Sequence, residues 1–125
     1  KLNKKVKFWG FVNEEKKYDL LSRSHLLINP SIREGWGMVV IEAASVGTPT
    51  VAFNVPGLRD SIIDGKTGIL SKEHSVDSLA DEIVKLLENE KKYTKISQDA
   101  IVWSRNFSWD NATKLSTDLV NKIAG

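Results

Sequence analysis

The sequence predicts an α/β fold, a parallel sheet in its first part with helices gathered after it. Short apolar or β-branched runs at Val6–Phe11, His25–Asn29, Thr50–Phe53 and Ile69–Leu70 alternate with helical segments. Strands separated in this way join through right-handed crossovers into a parallel sheet. The run HLLIN at 25–29 is apolar without alternation, as expected of a strand covered on both faces. Beyond Leu70 the strand signal stops and amphipathic helical spacing takes over.

Each element has its own reason. VKFWGF at 6–11 is β-branched and aromatic, and Asn13 after it is a good N-cap for a helix over Glu14–Ser22. Pro30 ends the strand that follows. Over 37–46, GMVVIEAASV, the first apolar residues alone suit a strand, but Glu42, Ala43, Ala44 and the closing Gly47 favour a helix, and one this apolar should be buried. Pro49 leads into the strand Thr50–Phe53, Leu58–Ile63 reads as one helical turn, and DGKTG at 64–68 is a turn before Ile69–Leu70. Ser75 caps a helix with Val76, Leu79, Ile83, Leu86 and Leu87 on one face. A second helix, Glu90–Ser104, turns Tyr93, Ile96, Ala100 and Trp103 inward, and a third follows Ser108 to about Ile123.

Composition narrows the function classes. The chain has 125 residues, 41% hydrophobic and 27% charged, which suits a single domain spanning 1–125. A net charge of +2 is too small to mark a nucleic-acid partner, and the absence of cysteine excludes disulfides and thiolate zinc sites. No apolar run approaches the length of a membrane span, and the start does not read as a secretory signal. Because the chain opens on Lys1 and its one methionine is Met38, a piece of a larger protein is expected.

The informative segment is 29–53, NPSIREGWGMVVIEAASVGTPTVAF, with Glu34 in a loop after a strand and Glu42 inside the next helix. Gly35 and Gly37 let the backbone turn sharply and bring its N–H groups near a ligand, while the helix presents its positive end to that loop. This arrangement seats a phosphate. At ~1.5 Å per residue, Glu42 lies about 7 Å beyond that seat, where a nucleotide's ribose would sit. Against this, Gly-x-Gly before a helix is common and a helical glutamate is usually just solvated. A carboxylate among Met38, Val39, Val40, Ile41, Ala43 and Ala44 nevertheless needs a partner, and a ligand's hydroxyl pair is one. Both readings stay open on spacing alone.

The segment 30–53, with VPGLRDSIIDGKTGIL at 55–70, resembles the donor-binding half of the retaining nucleotide-sugar glycosyltransferases of family 4. The resemblance implies the Rossmann-like C-terminal domain of a GT-B fold, present in part. It implies a nucleoside-diphosphate-sugar donor, with no cofactor and no metal, and an acceptor, glycan or lipid-linked, that it does not identify. Glu34 would be catalytic, bonding the transferred sugar and stabilising charge at the reacting carbon. Glu42 would accept the ribose hydroxyls, and the amides of Gly35, Trp36, Gly37 and Met38 would hold the sugar and distal phosphate. Retention would follow from same-face attack, with the leaving diphosphate taking the acceptor's proton. The location would be cytoplasmic, the full-length protein being either free or peripheral at a membrane.

Two parts of the family pattern are not in the sequence. The basic pair that neutralises the diphosphate and the first strands of this domain belong upstream of Val6–Phe11, and the acceptor domain belongs upstream of those. The chain alone is therefore expected to self-associate, bind nucleotide weakly and transfer no sugar. Two rival readings are a noncatalytic nucleotide-binding module and an interaction domain whose apolar helix is only core. Asp60, where many relatives carry glutamate, reads as a loop or cap residue. The ring of Trp36 either stacks near donor or acceptor or packs on a neighbouring domain, and packing is favoured. Trp9, Trp103 and Trp109 read as core or domain-contact residues. His25 and His74 lack metal-ligand spacing, and Ser31 and Ser45 lack a nearby histidine. The acceptor patterns at Asn106 and Asn111 are read as chance, and the lysines at 1, 4, 5 and 7 as a solvated end.

Overall fold

The computed structural model describes residues 4–125, apart from the side chains of 109–111. The elements run α1 (Glu14–Ser22), β1 (Leu27–Asn29), α2 (Met38–Ser45), β2 (Thr50–Phe53), α3 (Pro56–Ser61), β3 (Gly68–Ser71), α4 (Val76–Glu88), α5 (Glu90–Ser104), a short 3-10 turn at Arg105–Phe107, and α6 (Trp109–Ala124). All three strands are parallel in the order β1-β2-β3, with Ile28 opposite Val51 and Val51 opposite Ile69. Each crossover carries a helix, as the alternation predicted.

Local chemistry sets the helix starts. Asn13 Oδ1 accepts the Lys16 N–H at 2.8 Å, Ser75 Oγ that of Ser78 at 3.2 Å, and Asn89 Oδ1 that of Lys92 at 3.0 Å. Pro56 occupies the first turn of α3, where its missing N–H costs nothing. That helix therefore begins two residues before the predicted turn at Leu58.

The core gathers around β2 and β3, which are buried at every position. Val40 of α2, Leu58 of α3, Leu79 and Leu86 of α4 and Ile96 of α5 close over them. Helix α5 is tied to the earlier elements by side-chain bonds to their backbone: Tyr93 Oη donates to His25 O at 2.7 Å, Ser97 Oγ to Gly47 O at 2.6 Å and Trp103 Nε1 to Ser61 O at 2.9 Å. Gly47, at φ +79°, ends α2, and a side chain there would press on Ser97 and Ile101 of α5.

Three expectations are corrected and a fourth is narrowed. Val6–Phe11 is not a strand: among the described residues the segment pairs with none, and Phe8 and Phe11 are almost fully exposed. A β-prone run without a neighbour to take its backbone hydrogen bonds has nothing to hold it in a ladder. Of the two readings of Trp9, core or domain contact, the core one is excluded: the ring is half exposed, with the Lys7 and Lys16 ammonium groups 3.6 and 4.5 Å from its centre. Strand β1 has one paired edge among the described residues, and it is not covered on both faces, since Ile28 is 47% exposed. On α4, Val76 and Leu87 face solvent, because the helix touches the sheet along the narrower stripe of Leu79, Ile83 and Leu86. Among the described residues no helix is long and apolar enough to cross a membrane.

Candidate functional site

The loop 30–37 leaves the C-terminal end of β1 and runs into α2, the place where open parallel sheets receive ligands. Gly37 is the N-cap of α2 at φ +79°, and as a glycine it brings no side chain of its own to cap the helix. A Cβ at Gly37 would meet Leu58 Cδ2 at 3.0 Å and Ser61 Oγ at 3.3 Å, so only glycine lets the loop enter the helix here while α3 packs beneath it. The start of α2 thus points its backbone dipole at the loop through a glycine N-cap.

Glu34 is half-buried in this loop. Its main chain rests directly on α3: a Cβ built on Gly57 would overlap the Glu34 carbonyl oxygen and come within 2.7 Å of that of Gly35. Gly57 therefore fixes where Glu34 stands. A Pro-Gly pair reads from sequence as a turn, and nothing in the string reports the close approach of a distant loop.

Glu42 lies about one turn into α2, its side chain 17% exposed. The partner it needs is supplied by α1: Lys17 Nζ stands 2.9 Å from Glu42 Oε2 and 2.7 Å from Glu14 Oε1. Its hydrogen bond to Glu14, then that to Glu42, raises the Lys17 pKa above the usual lysine value of 10.5. A raised value means that the stabilisation is complete below 10.5 and is lost only as pH rises through the folded-state value, so Lys17 stays charged at neutral pH. Sequence reading missed Lys17, whose visible signal is only a helical i,i+3 pairing with Glu14.

A cleft of about 680 Å³ opens between α1, α2 and the end of α5, walled by Tyr18, Met38, Ile41, Glu42, Arg105 and Phe107 among others. Met38 and Glu42 are on its wall, whereas Glu34, Gly35, Trp36 and Gly37 are not. The Trp36 ring packs on Phe107 at 5.2 Å between centroids, and Phe107 on Trp103 at 5.0 Å. Trp36 thus packs against the chain's own C-terminal segment rather than standing free over the loop. Among the described residues no three His, Cys, Asp or Glu side chains gather as a metal site.

Comparison with known proteins decides the family. The model of the glycosyl transferases group 1 matches residues 1–103. The chain belongs to this family. It is 33% identical over 117 residues to a D-inositol 3-phosphate glycosyltransferase of Corynebacterium efficiens, covering 93% of this chain and 28% of that protein. An uncharacterised glycosyltransferase of Methanocaldococcus jannaschii is 30% identical over 122 residues, or 88% of this chain and 35% of the relative. The chain therefore spans about a third or less of the curated relatives it matches. Among solved structures it superposes on the sucrose-phosphate synthase of Thermosynechococcus elongatus with a TM-score of 0.87 at 26% identity, over 98% of this chain and 31% of that one. Anabaena HepE, crystallised in complex with UDP, follows at 0.81 and 25% identity, over 98% and 33%. The three-stranded parallel sheet and its helices are part of a GT-B glycosyltransferase fold.

Proposed function

We propose that this group 1 chain supplies the donor side of a retaining, family 4 glycosyltransferase site that takes a sugar from a nucleoside-diphosphate sugar. The observation that carries the reading is the run of the chain from the Glu34 loop through the glycine N-cap of α2 to Glu42 on the cleft wall. The UDP bound to the related HepE supports a nucleoside diphosphate as the ligand class.

In this reading Glu42 accepts the ribose hydroxyls. The backbone N–H groups of Gly35 to Met38, with Trp36 and Gly37 between, receive the sugar and the distal phosphate. Glu34 bonds the sugar hydroxyls and stabilises the positive charge that grows at the anomeric carbon as its bond to the diphosphate breaks. The start of α2 offsets the negative charge arriving on the leaving oxygen. An acceptor hydroxyl attacks from the same face, its oxygen bonds the anomeric carbon, and its proton passes to the leaving diphosphate. The acceptor, a glycan or lipid-linked hydroxyl, is held by parts of the protein outside this chain.

Calorimetric titration of the full-length protein with UDP, GDP and ADP tests the reading. One of them should bind, and Glu42→Ala should weaken it. No binding, or an unchanged affinity in a folded Glu42→Ala protein, would overturn the donor-site assignment.

A further inference from the structure

We propose that Lys17 is a positioning residue for the ribose end of the site, pinning one oxygen of the Glu42 carboxylate so that the other is aimed at the nucleotide's hydroxyls. This rests on the reading of Glu42 as ribose acceptor.

The pair stands apart from its neighbours. Every other ion pair among the described residues joins positions three or four apart within a helix or at its cap, whereas Lys17–Glu42 joins α1 to α2. It is also the most enclosed, at 27% and 17% side-chain exposure, against 70% and 72% for the paired Lys85 and Lys95. Local surface pairs of the latter kind contribute little. A pair drawn in from solvent between two elements has a defined geometry.

That geometry suits diol recognition. The terminal torsion of a glutamate is broad, so a free carboxylate samples many orientations. With Oε2 held at 2.9 Å by Lys17, Oε1 has one direction, and the ionised group accepts without donating. Lys17 also sits between two carboxylates, since Glu14 lines the same cleft. Without the ammonium, Glu14 and Glu42 would present like charges to an anionic ligand and push each other out of position.

The test compares a nucleoside diphosphate with its 2′-deoxy form on the full-length protein, using whichever of UDP, GDP and ADP binds most tightly. A hydrogen bond to a charged carboxylate should make the ribonucleotide bind about tenfold more tightly. Lys17→Met keeps the length and helix preference of the side chain. It should bring the ratio toward one, while Lys17→Arg should restore most of it. A Lys17 that only clasps α1 to α2, or only tunes charge, would weaken both ligands equally and leave the ratio as in the wild type, which would overturn the proposal. Glu42→Ala, which removes every side-chain hydrogen-bonding group, separates the two levels. If it abolishes discrimination and Lys17→Met does not, the positioning role alone falls. If the wild type does not discriminate, or Glu42→Ala still does, the ribose assignment falls and the role of Lys17 with it. Circular dichroism of each variant establishes that the folded protein is being compared.

Discussion

The two glutamates of the proposed donor site are held by opposite means. Glu42 stands on a helix whose backbone would be the same without it, and its side chain is fixed from outside by the charge of Lys17. Glu34 stands on a loop, and what is fixed is its main chain, pressed against α3 where Gly57 leaves no room for a Cβ. The helix makes the Glu42 end tolerant of substitution and sensitive to charge. The loop makes the Glu34 end sensitive to a single methyl group. Binding and chemistry should therefore fail separately.

The largest effect is expected at Glu34. On the proposed roles, Glu34→Gln in the full-length protein should lower turnover by about 10²–10³, the range for loss of one transition-state stabilising group. Affinity for the sugar-free nucleoside diphosphate should hardly change, since the Glu34 backbone that packs on Gly57 is untouched. Steady-state kinetics beside calorimetry checks this, and near wild-type turnover would remove Glu34 from the mechanism.

Gly57→Ala attacks the same end through packing. The added methyl must displace the loop backbone, at a cost of about 1–3 kcal/mol by analogy with other overpacked sites. Turnover should fall more than nucleotide affinity does. Denaturant melts and kinetics together decide the matter, and wild-type values in both would show that the loop is not seated by this contact.

Glu42→Ala should do the reverse. Nucleotide affinity should drop about tenfold, with the thermal midpoint nearly unchanged because alanine suits a helix. A variant equally impaired in stability and binding would mean that the pair with Lys17 serves the fold instead.

The chain by itself offers β1 with one edge unpaired among the described residues, and α6 with Leu115, Leu119 and Ile123 all more than half exposed. Both features favour association. Light scattering over a concentration series should show mass growing with concentration, and a monomeric chain that transfers sugar would contradict the expectation that the donor site needs the rest of the protein. Tyr93→Phe serves as the distant control. It removes the bond to His25 O and should cost about 1 kcal/mol, the smallest effect, while leaving nucleotide affinity as it was.

What the sequence determined by itself was largely local or periodic. Caps at Asn13 and Ser75, the apolar spacing of α4 and α5, the glycine ends of α2 and the Glu34-to-Glu42 interval all act within a few residues of one another, and they carried the fold class and the family. Val6–Phe11 shows the limit of that reasoning. Its composition suits a strand, but a strand exists only where a second backbone completes its hydrogen bonds, and none stands beside it among the described residues. Lys17 and Gly57 show the same limit at the site. One meets Glu42 and the other Glu34 across stretches of chain whose separation no local pattern encodes. Charge pairing and steric exclusion act through space, so the tertiary structure alone decided which lysine would hold the helix glutamate and which glycine would seat the loop.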